Sequence, residues 1–144
     1  MTAQENPTQD VKLYTPNAIR LATFLGGPLI AGYLIRENYL ALQEEKKAKQ
    51  ALVLGLVSTV AFFGVLFLVP TTVIDRIPNF IFPVLFTGIV SWIVEVKQGD
   101  ILRKHQEENN AFYSIWRAVG LALISAILLF ASIFILVFVL FNFL

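Results

Sequence analysis

Two long uncharged apolar runs constrain this chain more than any other feature. Residues 51–70 and 119–144 contain no Asp, Glu, Lys or Arg. An α-helix rises about 1.5 Å per residue, so about 20 residues cross the ~30 Å hydrocarbon core of a bilayer. Backbone polar groups in lipid must find their partners inside the segment itself, which a helix allows. The runs therefore predict transmembrane helices and an integral membrane protein.

Composition supports this class and excludes several others. Of 144 residues, 57% are hydrophobic and only 15% are charged, whereas about a quarter of the residues in soluble domains are charged. The net charge of +1 provides no basic field for nucleic acid. The absence of cysteine excludes disulfides, thiolate metal sites and cysteine nucleophiles.

The predicted organisation is a single all-α membrane domain, 1–144, with about four membrane-embedded helices. Its segments, in chain order, are a polar N-terminal tail (1–17), a short embedded helix broken at Gly26-Gly27-Pro28 (18–35), a basic cytoplasmic helix or loop (36–50), a transmembrane helix (51–70), an external turn (71–78), a transmembrane helix (79–95), a cytoplasmic amphipathic segment (96–117) and a last transmembrane helix (118–144).

The Lys and Arg residues of the loops predict the orientation. Segments 36–50 and 96–117 each hold four basic residues, whereas the 71–78 turn holds only Arg76. Short loops rich in Lys and Arg stay in the cytoplasm. The basic segments are therefore predicted to be cytoplasmic, with the turn and the C-terminus external.

The first apolar block leaves two topologies open. Its uncharged part, residues 21–35, would extend about 22 Å as a helix, and Pro28 should bend it. This short length favours a re-entrant dip. However, each half of the chain has a Pro-containing apolar block, a basic segment and then a longer span. That repeat requires the first block to cross the membrane. Crossing is therefore the slightly favoured prediction, with the N-terminal tail outside.

The residues at the interruptions are candidates for a binding or packing surface. Interrupted helices in matching halves are typical of transporter sites, and here the interruptions are Gly26-Gly27-Pro28 and Pro83. The spacing of Gly27 and Ala31 is also the small-xxx-small pattern that lets helices approach closely. Packing is the favoured interpretation because neither block carries a charge in mid-membrane.

Glu95 and His105 are the other candidates. An acid after a long apolar block is a functional candidate, but Glu95 stands near Lys97 at a predicted membrane edge, where it can reach water. His105 is the only histidine and is predicted to lie on a surface helix over 100–113, as an ordinary interfacial side chain rather than a pH sensor. A single histidine without cysteine cannot form the usual zinc site.

No enzyme is predicted. A serine nucleophile needs a base within hydrogen-bond reach, and the predicted spans contain no His or Lys. The sequence therefore predicts no catalytic residue, no metal and no cofactor.

The stretches ATFLGGPLIAGYLIREN and KHQEENNAFYSIWRA resemble a group of small, uncharacterised bacterial inner-membrane proteins. The resemblance runs from about Leu13 to Leu121. It implies a multi-pass protein of the bacterial inner membrane and implies no particular activity.

The predicted function is a non-enzymatic membrane protein that acts through protein–protein contacts in the bilayer, as an accessory subunit or an immunity-type protein. The alternative is a homo-oligomeric channel or small transporter that uses the Pro-containing helices. The predicted partners are the lipid bilayer and either another membrane protein or further copies of this chain.

Overall fold

The long helices form where an apolar run continues into polar residues that favour a helix. The computed structural model describes residues 11–144; the first ten residues of the predicted tail lie outside the described part. Its helices are α1 (Pro16–Ala41), α2 (Glu45–Leu68), the single turn α3 (Thr71–Ile74), α4 (Ile81–Glu107) and α5 (Ile115–Phe143). The predicted all-α class is confirmed, and α1, α2, α4 and α5 are long and apolar enough to span a membrane.

The helices extend beyond the predicted apolar segments. α2 begins at Glu45 and α4 continues to Glu107, because the bilayer limits the length of an apolar run but not that of a helix. The separate surface helix expected over 100–113 does not form. Its first part belongs to α4, and the chain then turns through Asn109, whose φ is 54°.

α1 is a hairpin of two arms, not a straight rod. Gly27 has φ 76° and ψ −166°, a conformation that is essentially restricted to glycine. Across the break, the Tyr14 N–H donates to Asn38 Oδ1 at 2.7 Å, and Asn38 Nδ2 donates to the Tyr14 carbonyl at 3.1 Å. A straight helix would separate these two residues by about 36 Å. The chain therefore doubles back at Gly27, with a first arm over 16–26 and a second arm over 28–41.

The hairpin tip ends well short of the far ends of the neighbouring helices. The second arm meets α2 where Gly32 faces Gly55, and the first arm meets α5 where Gly26 faces Ala122. α2 continues about 20 Å beyond Gly55, and α5 continues about 30 Å beyond Ala122. The block that contains Pro28 therefore returns to the end of the molecule from which it starts. The prediction that it crosses is wrong, because contacts at both ends of α1 hold its arms together.

This geometry also corrects the position of the N-terminal segment. Leu13 forms a parallel bridge with Phe112, and the Tyr113 N–H donates to the Leu13 carbonyl at 2.8 Å. Residues 11–15 thus lie with the 42–44 and 108–114 loops at one end of the molecule, the basic end. The α3 turn and the C-terminus lie at the opposite, distal end. The prediction that placed the N-terminal tail opposite the basic loops is wrong for residues 11–15.

The hairpin forms the centre of the fold. α1 packs closely against each of α2, α4 and α5, whereas those three helices pack much less against one another. In α1, 61% of the most apolar stretch is buried, compared with 11%, 17% and 6% in α2, α4 and α5. The three outer helices therefore turn most of their apolar surface outward, as helices in contact with lipid do.

Candidate functional site

The glycines predicted as a packing or binding surface have two different roles. An added Cβ on Gly26 would lie 2.9 Å from the Ala122 carbonyl oxygen, so this position allows the first arm to approach α5. An added Cβ on Gly27 would meet nothing within 4 Å. Gly27 is needed for its positive φ, and Gly26 for its lack of volume. Pro28 and Ala31 follow on the second arm, where both are buried.

Pro83 does not form a second break to match Pro28. It lies in the first turn of α4, where the missing N–H has no intrahelical partner to lose. α4 continues through it as a regular helix as far as Glu107. The two halves of the chain are therefore similar in composition but not in structure. Only one of the two Pro-containing blocks is interrupted.

Glu95 belongs to an exposed ion-pair network. Its carboxylate lies 3.2 Å from Arg103, which also pairs with Asp100 at 2.7 Å. The Glu95 side chain is 51% exposed, so water and Arg103 stabilise its charge. Exposed pairs of this kind contribute little to stability.

His105 contacts the loop between α4 and α5. Its Nε2 atom lies 2.8 Å from the carbonyl oxygen of Ala111, and its ring meets that of Phe112 edge-on at 4.8 Å. A carbonyl can only accept a hydrogen bond, so this contact requires the proton on Nε2. Within residues 11–144, no group of three His, Asp or Glu side chains is placed to hold a metal ion.

A buried polar network at the open end of the hairpin was not predicted. It consists of Tyr14, Asn38 and Gln98 and is called the mouth network. Besides its two bonds to Tyr14, Asn38 donates to Gln98 Oε1 at 3.2 Å, and Gln98 donates to the Ile35 carbonyl at 3.3 Å. Asn38 and Gln98 are each only 1% exposed. Both lie in polar stretches of sequence, so no local signal separated them from solvated neighbours.

An aromatic and cationic cluster extends the mouth network to α5. The Tyr14 and Tyr113 rings lie 4.7 Å apart, Arg117 Nε donates to the Tyr14 hydroxyl at 2.9 Å, and the guanidinium lies 4.5 Å above the Tyr113 ring. Burial raises the pKa of the Tyr14 phenol, against the opposing effect of Arg117. Tyr14 therefore stays protonated at neutral pH and joins the N-terminal segment to the start of α5.

Replacement of Asn38 by Ala is expected to open the hairpin mouth. The change removes the partners of the Tyr14 N–H and C=O and one partner of Gln98, and each buried group left unpaired costs about 1–3 kcal/mol. We expect a clear fall in the thermal midpoint in detergent. Asn110→Ala is the matched control, because the Asn110 side chain bonds only the exposed Glu108. Equal midpoints for the two variants would contradict this role of Asn38.

A lateral cleft of about 410 Å³ opens between the second arm, α2 and α4. Near the basic end its walls carry the polar side chains Lys47, Gln50, Lys97 and Gln98; farther from that end they are mostly apolar. The Phe62 ring of α2 meets the Phe86 ring of α4 at 4.8 Å, just beyond the deepest part of the cleft. The cleft is therefore closed towards the distal end.

Comparison with known proteins returned no matches. No protein-family model, no curated protein and no solved structure is detectably similar to this chain. Its function has to be argued from its own geometry.

The two features that this geometry offers are the lateral cleft and the uncovered part of α5. The buried side chains of α5 are Ala118, Ala122 and Ser125, all within the part of the helix nearest the hairpin. Beyond Ser125 the side chains of this helix are largely exposed.

Proposed function

We propose that this protein is a non-enzymatic, multi-pass protein of the bacterial inner membrane that acts through contacts within the bilayer, as an accessory subunit or an immunity-type protein. The observation that supports this most is the distal part of α5, residues 126–143. Among residues 11–144, this long helix has almost no packing partner beyond the hairpin tip.

The chemistry of this surface suits a protein partner. Phe130, Phe134 and Phe141 are more than 70% exposed and give α5 a large van der Waals surface. Lipid tails are as apolar as these side chains, so helices associate in membranes through close packing and polar contacts. Asn142 uses one amide N–H to bond the Phe138 carbonyl at 2.8 Å. Its other N–H and its carbonyl oxygen bond none of the described residues, so they can bond a neighbouring helix.

The proposed orientation places the basic end in the cytoplasm. All Lys and Arg residues except Arg76 lie on segments at or near that end, as the positive-inside rule favours. The α3 turn and the C-terminus are then external, and the distal part of α5 crosses the outer leaflet. A partner would meet it there.

Recovery of an unlike partner tests the proposal. Gentle extraction from the native host should recover the protein with a different membrane protein, and Ala131→Trp should reduce that recovery because it places a bulky ring on the uncovered part of α5. Ala61→Trp is the control, since Ala61 is also exposed and lies on α2. Recovery of the chain without any partner, or equal loss with both variants, would contradict the proposal.

A homo-oligomeric channel or small transporter is the second candidate, and the re-entrant hairpin is the observation that favours it. Non-helical backbone at membrane depth is tolerated only where protein encloses it or where it lines a wet cavity. A Cβ added at Gly27 would meet nothing within 4 Å. The hydroxyls of Thr87 and Ser125 are buried without hydrogen-bond partners among the described residues. A pore would require several copies with these groups around a common axis.

Ion flux separates the two candidates. A conduction path needs polar lining or a hydrophobic gate that can wet, and the described spans offer scattered hydroxyls and an edge carboxylate. Liposomes that contain the purified protein are therefore expected to pass no ions above the level of empty vesicles. A symmetric oligomer with ion flux that is lost on Thr87→Val would favour the channel, with Ser132→Ala on the exposed side of α5 as the control.

A further inference from the structure

The lateral cleft has the dimensions of one leaflet. Its walls run from Lys47 to Ser58 on α2 and from Lys97 to Phe86 on α4. Each of these stretches extends about 16 Å as a helix, which is about half of the ~30 Å hydrocarbon core. The contact of Phe62 with Phe86 closes the cleft beyond that depth. A partner helix that crosses the membrane needs a groove along its whole length, whereas a lipid needs one leaflet.

The cleft is also polarised along its length. Lys47, Lys97 and Gln50 line the end near the basic loops, and Leu54, Ile89 and Ile93 line the deeper part. Charged and amide groups thus occur at the level of lipid headgroups, with apolar side chains at the level of acyl chains. This arrangement matches an amphiphile that lies parallel to the helices.

The charge at the headgroup end is positive. Lys47 pairs with Glu44 at 2.5 Å, which offsets one of the two lysine charges. Lys97 makes no ion pair with any of the described residues. Lys97, which has no ion-pair partner among the described residues, and Lys47, which also pairs with Glu44, therefore face the position of the headgroup. Their positive charge favours an anionic headgroup over a zwitterionic one.

We propose that the lateral cleft between the second arm, α2 and α4 is a binding site for one anionic phospholipid of the basic-end leaflet. Lys97 and Lys47 bind its phosphate, and an acyl chain lies between α2 and α4 down to the Phe62–Phe86 contact. The bound lipid fills the space that α2 and α4 leave because the hairpin holds them apart. This proposal does not depend on the partner of α5.

Native mass spectrometry of the detergent-purified protein tests the site, with phosphatidylglycerol and phosphatidylcholine as probes. We expect one phosphatidylglycerol to be retained per chain, with a preference of roughly tenfold or more over phosphatidylcholine. In Lys47→Gln/Lys97→Gln that preference should be lost. In Leu54→Trp, which fills the cleft without a change in charge, both lipids should bind more weakly.

The control is Lys46→Gln/Lys49→Gln, because these lysines lie outside the cleft walls and the total change in charge is the same. It should retain phosphatidylglycerol as the unmodified protein does. Equal losses in the two double variants would indicate diffuse surface attraction and overturn the proposal. A dimer mass with no bound lipid would also overturn it, since a second copy would then occupy the cleft.

Discussion

A cysteine at Lys12 is expected to react with a membrane-impermeant maleimide from the same side of the bilayer as a cysteine at Glu108, and a cysteine at Asp75 only from the opposite side. All three positions are exposed, and the chain has no native cysteine to interfere. The expected result follows from the bridge between Leu13 and Phe112. The difference is all or none, because a re-entrant hairpin keeps both of its ends on one side.

The comparison of spheroplasts with inside-out vesicles also tests the proposed orientation. Lys12→Cys and Glu108→Cys should be protected in spheroplasts and should react in inside-out vesicles. If Lys12→Cys reacts together with Asp75→Cys, α1 crosses the membrane and the hairpin is wrong. If the three positions keep the expected pairing but with the sides reversed, the hairpin stands and the orientation is wrong.

Gly32→Ala and Gly55→Ala are each expected to lower the thermal stability of the protein in detergent. A Cβ on Gly32 would lie 2.8 Å from both the Ala51 carbonyl oxygen and the Gly55 Cα atom, and a Cβ on Gly55 would lie 2.9 Å from the Gly32 Cα atom. These neighbours are backbone atoms, so the second arm and α2 must move apart. Overpacking of this kind costs about 1–3 kcal/mol.

Gly64→Ala provides the matched control on the same helix. An added Cβ there would meet nothing within 4 Å, and Ala favours a helix over Gly by about 1 kcal/mol. Its thermal midpoint should stay the same or rise. The double variant of Gly32 and Gly55 should lose less than the sum of the single variants, because both relieve the same contact. A loss with Gly64→Ala as large as with Gly32→Ala would remove the close-contact explanation.

The hairpin α1 and the three other long helices have different roles in the fold. α1 is the most buried of the four long helices, and its two ends lie together at the basic end. It separates α2, α4 and α5 in the basic-end leaflet and leaves the lateral cleft beside its second arm. In the distal leaflet, α2 and α4 meet through Phe62, whereas α5 has little packing against them. Both proposed binding surfaces are thus consequences of where the hairpin ends.

Parts of this arrangement were predicted from the sequence because they depend on local properties. The apolar runs over 51–70 and 119–144 correspond to long helices, since length and hydropathy alone decide whether a segment can lie in lipid. The break at Gly26-Gly27-Pro28 was also predicted, because Pro lacks a donor and Gly permits a positive φ. Glu95 and His105 have contacts that their neighbours in sequence did not indicate.

What only the tertiary structure decided is the direction of the chain after the break. A Gly-Gly-Pro interruption permits both a kink and a complete reversal, and the local sequence has no preference that separates them. The reversal is fixed by partners distant in sequence: Asn38 with Tyr14 and Gln98 at the mouth, and Gly32 with Gly55 along the second arm. The sequence by itself determined that the protein lies in a membrane and where its first helix breaks. Packing of that broken helix between three others decided that it returns, because the buried Asn38 side chain reaches Tyr14 only when the two arms lie together.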